Sequence, residues 1–314
     1  MKNIKRIIAI LALGCVSSVF AQEEAWKHTG EVYPLWEDAQ MPGNACLQQE
    51  QVSRKYPNRW MNNVSKPRLE LFKASSEQPT GLVIVCPGGG YVGLSVENEG
   101  SLIAQWLVSK GINAAVLYYR VPENMHGALQ DIQRAIRMTR ANAKKWNINP
   151  DKICVIGFSA GANLCARAST NFKKTFYKPV DDIDKLSAKP SHTCLIYPAY
   201  CSDKAFVQYK IARTGRKFED LDYNSEYELA KNLPVSEDTP PAFIVQTLED
   251  KNYVNASLAY FLALKKAGVD ANLFLCDKGP HGYGLGQRIP DKLVSMWPEL
   301  FEKWLTINKF KGDK

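Results

Sequence analysis

Gly157-Phe158-Ser159-Ala160-Gly161 constrains this chain more than any other stretch. It lies between an apolar run, Ile153-Cys154-Val155-Ile156, and a helix-like run from Ala162 to Asn171. A strand, a sharp turn tipped by a serine, and then a helix make a nucleophile elbow. The glycines are needed because the turn is tight and the helix packs close to the strand, where a Cβ would obstruct it. The turn lifts the Ser159 hydroxyl out of the sheet. It also sets Ser159 at a helix N-terminus, where backbone N–H groups face developing negative charge. The bland alternative is a glycine-flanked serine in an ordinary βα turn.

A nucleophilic serine needs a base and an acid to orient it, and an elbow predicts the chain order serine, acid, histidine. Of the four histidines, only His192 and His281 follow Ser159. His192 opens the apolar run Thr193-Cys194-Leu195-Ile196-Tyr197 and reads as a strand start. His281 lies in the loop Lys278-Gly279-Pro280-His281-Gly282-Tyr283-Gly284, after Leu273-Phe274-Leu275, and is the expected base. The acid belongs after the strand Pro241 to Thr247, in Leu248-Glu249-Asp250-Lys251-Asn252. Asp250 and Glu249 both qualify, Asp250 being preferred; either could instead be a solvated loop acid or a helix N-cap.

An oxyanion hole draws one N–H from the residue after the nucleophile, Ala160, and another from a loop after an earlier strand. Leu82-Val83-Ile84-Val85-Cys86 is such a strand, and Pro87-Gly88-Gly89-Gly90-Tyr91 follows it. Consecutive glycines let the main chain approach a ligand closely. The loop lacks both the Gly-Lys-Ser/Thr of a P-loop and a G-x-G-x-x-G pattern, which disfavours phosphate binding. No CxxC pair or HExxH helix points to a metal, and nothing calls for a cofactor.

Five segments occur in one order: Pro87-Gly88-Gly89-Gly90-Tyr91, Leu117-Tyr118-Tyr119-Arg120, Ala128-Leu129-Gln130-Asp131, Gly157 to Gly161, and His281-Gly282-Tyr283-Gly284. Together they resemble the α/β-hydrolase esterases related to acetyl esterases, acetyl-xylan esterases and feruloyl esterases, over roughly residues 67 to 308. The resemblance implies Ser159 as nucleophile, Asp250 as acid and His281 as base, with Gly89, Gly90 and Ala160 as oxyanion donors. Tyr91 and Tyr283, flanking the glycine loop and the base, are expected in the substrate pocket. Two departures stand out: Pro87 where a histidine often precedes the glycines, and Ala162-Asn163 where relatives carry a second glycine and a histidine. Both leave the triad positions intact and bear on substrate preference.

The implied activity is serine-dependent hydrolysis of short acyl esters on carbohydrate, such as acetylated xylan or its oligomers. Feruloyl-ester hydrolysis is the nearest alternative. A non-catalytic carbohydrate- or partner-binding protein on the same scaffold is the alternative of a different class. The expected partner is an acylated carbohydrate or another small ester.

The chain begins with Lys2, Lys5 and Arg6, an apolar run from Ile7 to Val19, and small residues at Val19-Phe20-Ala21. This predicts a signal peptide over 1–21 and a mature start at Gln22, hence an exported, periplasmic or secreted protein. A lipoprotein signal ending at Cys15 is the minor alternative. The run is too short for an ordinary spanning helix, and no later segment is a better one. Removing residues 1–21 takes away three positive charges and no negative one, so the net charge falls from +8 to +5. Basic residues are interspersed with acids, which does not suggest a nucleic-acid partner.

Short apolar strands near 69–73, 82–86, 113–119, 152–157, 192–197, 242–247 and 271–276 alternate with helices near 98–110, 127–146, 160–172, 254–268 and 291–306. That alternation predicts a mostly parallel sheet with helices on both faces. In the helix 127–146, Leu129, Ile132, Ala135, Ile136 and Thr139 form the inward stripe, with Arg134, Arg137 and Lys144 expected outward. Arg120 and Asp131 suit a structural ion pair behind the site. Residues 22–66 read as an N-terminal arm, and 67–314 as the hydrolase-like domain, with a cap insertion near 200–240 that carries Phe206, Tyr209, Phe218, Tyr223 and Tyr227. Of the seven cysteines after Cys15, five lie in core patterns, leaving Cys46 and Cys201 as the pair open to a disulfide.

Overall fold

A computed structural model describes residues 27–37, 40–44, 46–55, 58–212 and 227–311. The expected signal segment, with Cys15 and Gln22, lies outside the described residues, as do Phe218 and Tyr223. The strands are β1 (Glu31–Pro34), β2 (Gln51–Lys55), β3 (Asn58–Asn62), β4 (Arg68–Phe72), β5 (Thr80–Cys86), β6 (Gly93–Leu94), β7 (Asn113–Tyr118), β8 (Ile148–Phe158), β9 (His192–Ile196), β10 (Ala242–Thr247) and β11 (Ala271–Cys276). The α-helices are α1 (Leu102–Ser109), α2 (Met125–Ala141), α3 (Ala143–Trp146), α4 (Ala160–Thr170), α5 (Asp203–Ile211), α6 (Val254–Lys266) and α7 (Trp297–Ile307).

Eight strands form one sheet in the order β1-β4-β7-β5-β8-β9-β10-β11. The β1–β4 and β4–β7 pairs are antiparallel, and every pair from β7 through β11 is parallel. All residues of β5 and β10 are buried. Covering a parallel sheet on both faces requires such unbroken apolar runs in place of alternation. Helix α2 packs on α4 and both lie against β8, whereas α1 lies against β7 and meets Trp297 and Phe301 of α7 through Trp106.

The arm is not a separate appendage. Its strand β1 closes one edge of the main sheet, while β2 and β3 form a small second sheet with β6. Neither β1, with its charge and proline, nor the largely polar β2 and β3 carries an apolar periodicity. β2 and β3 pair with each other as a local hairpin, whereas β1 pairs with β4 and β3 with β6, partners distant in sequence. The Arg120–Asp131 pair also anchors the arm. Arg120 donates to Asp131 at 2.8 Å, Trp36 Nε1–H donates to the same carboxylate at 2.8 Å, and Arg120 also donates to the Pro42 carbonyl. Burial pushes the Asp131 carboxyl up, against the pull of Arg120.

The expected outward face of α2 is corrected at two positions. Arg134 and Arg137 are buried, with 5% and 3% exposure, because the segment 175–187 lies over them. Arg134 forks onto Asp181 and pairs with Asp184 at 3.1 Å. Arg137 donates to Tyr177, Thr175 and the Leu186 carbonyl. Lys144 is exposed as expected. Cys46 and Cys201 do not pair: both are free thiols. Cys201 is buried near the Asn163 amide, whereas Cys46 borders a hollow beside Arg120 and Gly127. Within the expected cap, Ser202 N-caps α5, and Tyr209 packs on Tyr91 and Tyr200. No helix among the described residues is long and apolar enough to cross a membrane.

Glu70 of β4 fastens the start of the described chain. It accepts from the Thr29 and Gly30 N–H groups at 2.6 and 2.8 Å, from Tyr118 at 2.6 Å and from His28 Nδ1–H at 2.8 Å. Arg68 Nε–H occupies His28 Nε2, which leaves Nδ1 as the donor. Burial pushes the Glu70 carboxyl up, but the bonds from His28, Tyr118 and Gly30 outweigh it and bring it down to about 2. A carboxylate held below its unfolded value stabilises the fold above that value, and the contribution drains away as pH falls through the folded value. We expect Glu70→Gln to cost on the order of 2 kcal/mol at neutral pH. The gap from wild type should close as the pH drops from about 4 towards 2. Urea denaturation at both extremes checks this; an equal loss at each would refute the linkage.

Candidate active site

The elbow between β8 and α4 is built by exclusion of side chains. A Cβ at Gly157 would stand 2.2 Å from the Gly161 carbonyl oxygen, and one at Gly161 would stand 2.1 Å from that of Cys86. Only glycine allows this approach. Between them Ser159 takes φ +52° and ψ −116°, a conformation that costs a non-glycine residue on the order of 1–3 kcal/mol. Backbone bonds hold it there. Ser159 N–H donates to the Ile196 carbonyl at 3.0 Å, and its own carbonyl accepts from Asn163 and Ala199 at 3.1 Å.

The structure brings Ser159, His281 and Asp250 together. His281 Nδ1 lies 2.6 Å from Asp250 Oδ2, and Nε2 lies 2.8 Å from Ser159 Oγ. An ionised carboxylate only accepts, so Nδ1 carries the proton and Nε2 accepts from the serine hydroxyl. The Asp250 side chain is 2% exposed and that of His281 34%, so the acid is enclosed while the ring stays open to solvent. Asp250 follows β10 and His281 follows β11. These strands pair in register from Ala242↔Ala271 to Thr247↔Cys276, which sets the two loops side by side.

Glu249, the other acid weighed from the sequence, turns elsewhere. It accepts from the Gly279 N–H at 2.7 Å and pairs with Lys278 at 3.3 Å. Those two partners hold its carboxyl below the usual range. Thr247 Oγ1–H donates to the Gly279 carbonyl at 2.8 Å. Glu249 and Thr247 thus brace the loop that carries His281.

The glycine loop after β5 lies against the elbow, since a Cβ at Gly88 would come within 3.0 Å of Ser159 Cβ. Gly88 N–H is committed to Glu99 at 2.8 Å. Gly89 and Gly90 adopt φ +139° and +63°, backbone that side chains disfavour. Ala160 opens α4, where the first amides have no intrahelical acceptor.

Tyr91 and Tyr283 are corrected as pocket residues, being 0% and 5% exposed. Tyr91 turns inward and donates to Asn163 Oδ1 at 2.9 Å; Tyr283 stacks edge-on against Tyr197 at 4.5 Å. The partly exposed rings near the triad are Tyr200 and Tyr253. Tyr253 lies 5.1 Å from the His281 ring and 5.7 Å from Tyr200, whose hydroxyl faces Gly90. Asn163, at the position of the departure noted after the elbow, donates to the Tyr200 carbonyl at 3.1 Å while accepting from Tyr91. Nothing in the sequence marks Tyr200 or Tyr253 beyond their place in the loops after β9 and β10.

A mostly parallel sheet with helices around it and a serine at the strand–helix elbow defines an α/β-hydrolase. Residues 69–200 match the BD-FAE family. The chain is 31% identical over 253 residues to an acetylxylan esterase of Xylanibacter ruminicola, an alignment covering 77% of this chain and 48% of that protein. It is 29% identical to endo-1,4-beta-xylanase B of Butyrivibrio fibrisolvens, over 74% of this chain and 36% of that one. The chain thus spans about half the length, or less, of these curated relatives. It also resembles the crystal structure of the acetyl ester-xyloside bifunctional hydrolase of Caldicellulosiruptor lactoaceticus. That match has a TM-score of 0.73 and 33% identity, covering 90% of this chain and 98% of that one. The chain belongs to the family of α/β-hydrolase esterases related to acetylxylan esterases.

Gly161→Ala tests the close approach at the elbow. Its Cβ would meet the carbonyls of Cys86 and Pro87, backbone at the centre of the sheet that cannot swing away. We expect a loss of about 2–3 kcal/mol in thermal or urea unfolding. Undiminished stability would show that α4 stands farther from β5.

Proposed function

We propose that this chain hydrolyses short acyl esters on carbohydrate, deacetylating acetylated xylan or its oligosaccharides. The observation that carries the reading is the unbroken chain of hydrogen bonds from Ser159 Oγ through His281 to Asp250, at 2.8 and 2.6 Å. The names of the relatives, an acetylxylan esterase and an acetyl ester-xyloside hydrolase, supply the substrate class.

In this mechanism His281 Nε2 takes the Ser159 proton as Oγ attacks the ester carbonyl carbon. Asp250 holds the ring's orientation and balances the imidazolium. The N–H groups of Gly89, Gly90 and Ala160 receive the oxyanion, and one such donor is worth about 10²–10³ in turnover. The tetrahedral intermediate collapses, the sugar oxygen leaves with the proton from His281, and the acyl group stays on Ser159. Water, deprotonated by His281, then attacks the acyl-enzyme and releases the carboxylic acid. Positive charge on His281 is needed only transiently, which suits a ring with a buried acid on one side and solvent on the other. Export of the mature chain from Gln22 is part of the proposal, and N-terminal sequencing of protein from the culture medium or periplasm tests it.

The decisive assay follows acetate and ferulate release from acetylated and feruloylated xylo-oligosaccharides. Ser159→Ala should lower acetate release by at least about 10⁴ while keeping the wild-type unfolding curve. Asp250→Asn should lose on the order of 10⁴, whereas Glu249→Gln should stay within about threefold because its contacts are structural. Ferulate release without acetate release would move the assignment to feruloyl esters. Sugar binding without turnover of any ester would favour a non-catalytic role.

A further inference from the structure

A second buried acid stands behind the serine–histidine pair, and the mechanism above does not use it. Glu99 is 5% exposed and lies in the wide π-helical turn Glu97–Ser101 that leads into α1. Its Oε2 accepts from the Gly88 N–H at 2.8 Å, and its Oε1 accepts from Tyr197 at 2.8 Å. The Tyr197 oxygen in turn accepts from the Gly284 N–H at 3.1 Å. One carboxyl group thus joins the glycine loop after β5, the end of β9 and the loop that carries His281. The Tyr197 ring lies between, 4.8 Å from the His281 ring and edge-on to it.

The protons in this network sit on the partners. Gly88 and Gly284 can only donate through their amides, and the Tyr197 proton is directed at Glu99. A protonated Glu99 would need an acceptor for its own hydrogen and would strand the Tyr197 proton. The network therefore closes with Glu99 as a carboxylate. Burial leaves its carboxyl above the ordinary carboxylate value, and the bonds from Tyr197 and Gly88 and the charge of a protonated His281 offset only part of that rise. Around Glu99 the facing groups are the Gly88 amide, Tyr197, His281 and Tyr119, whose hydroxyl is spent on the Pro87 carbonyl at 2.6 Å. Around His281 they are Asp250, Ser159, Tyr197 and Tyr253.

We infer that Glu99 is a positioning residue for the proposed hydrolysis: its carboxylate holds the oxyanion loop and the histidine loop in one register and favours the imidazolium that forms as Ser159 attacks. The inference rests on the ester-hydrolase reading for its purpose, but the coupling of Glu99 to His281 can be read without turnover.

The test uses the full chain, Glu99→Gln and Tyr197→Phe, and their double variant. Two quantities are measured: kinetics on p-nitrophenyl acetate, and the pH titration of the His281 ring by NMR. Glutamine keeps the shape but sets an amide N–H₂ against one of the two donors and removes the charge. Glu99→Gln should lower kcat about 10–100-fold with little change in KM, as expected for a small misplacement of reacting groups. The acid limb of kcat/KM and the His281 titration should both move to lower pH by about half a unit, as expected for the loss of one nearby negative charge. Tyr197→Phe should act in the same direction, and the double variant should be little worse than Glu99→Gln, since both cut one bridge. Unchanged kcat, or a lowered kcat with an unmoved His281 titration, would overturn the inference. If Glu99→Gln fails to fold, Tyr197→Phe decides by the same two readouts. A wild type inert towards every ester would sink the functional reading instead, leaving the titration to judge Glu99.

Discussion

The placement of the site depends on how closely α4 approaches the ends of β5 and β8. With no Cβ at Gly157 or Gly161, the helix start falls within van der Waals reach of the Cys86 and Pro87 carbonyls. Two consequences follow from that proximity. The chain must reverse in a few residues, which forces Ser159 into a backbone region that only surrounding bonds make tolerable. The first amides of α4 also come to lie beside the glycine loop that leaves β5. Serine and glycine loop are therefore positioned by one packing contact, and the bonds from Ile196, Asn163 and Ala199 keep the turn from relaxing.

The histidine is placed by a different device. It reaches the serine from a loop whose shape is imposed at both ends: Thr247 and Glu249 hold Gly279, and Tyr197 holds Gly284. Adjacent acids after β10 divide the work. Glu249 is exposed and ties the loop through Lys278 and a backbone amide, while Asp250 is enclosed and meets the ring. A carboxylate that must orient an imidazole gains from burial, because its hydrogen bond is stronger where water cannot compete. The glutamate one position earlier, in solvent, is suited to bracing.

Much of this was legible in the sequence because it arises locally. The elbow needs glycines at fixed spacing around a serine. The inner strands β5, β7, β9 and β10 are wholly buried and so appear as largely apolar runs, whereas the edge strand β11 is partly exposed. The order of serine, acid and histidine follows from a parallel sheet in which functional loops leave strand ends. What was not legible depends on partners far along the chain. Arg134 and Arg137 look solvent-facing from helical spacing alone, and only the segment around Asp181 and Tyr177 encloses them. Tyr91 and Tyr283 flank the right loops, yet a single backbone rotation decides whether a ring lines a cleft or supports it from below; here Asn163 and Tyr197 take them inward. No local pattern marks Glu99, because its donors, the Gly88 amide and the Tyr197 hydroxyl, come from two loops far apart in sequence.

The arm shows that a compositional boundary need not be a mechanical one. Residues before 67 are poor in periodic apolar pattern, yet β3 pairs with β6 at Met61↔Leu94 and Asn62↔Gly93, immediately after the glycine loop. Trp60 fills the space beside Gly89 and Gly93, where any added Cβ would strike its ring. These glycines therefore lack side chains for separate reasons: Gly161 admits a strand end, whereas Gly89 and Gly93 admit the arm's tryptophan. Loops rich in glycine are entropically costly to order, and this one is ordered from two sides, by the Glu99 carboxylate at Gly88 and by the arm's small sheet beyond Gly90. Between those fixed points the Gly89–Gly90 turn has little freedom left. That is the condition under which backbone amides would serve the oxyanion of the proposed hydrolysis without reorganising as the charge develops.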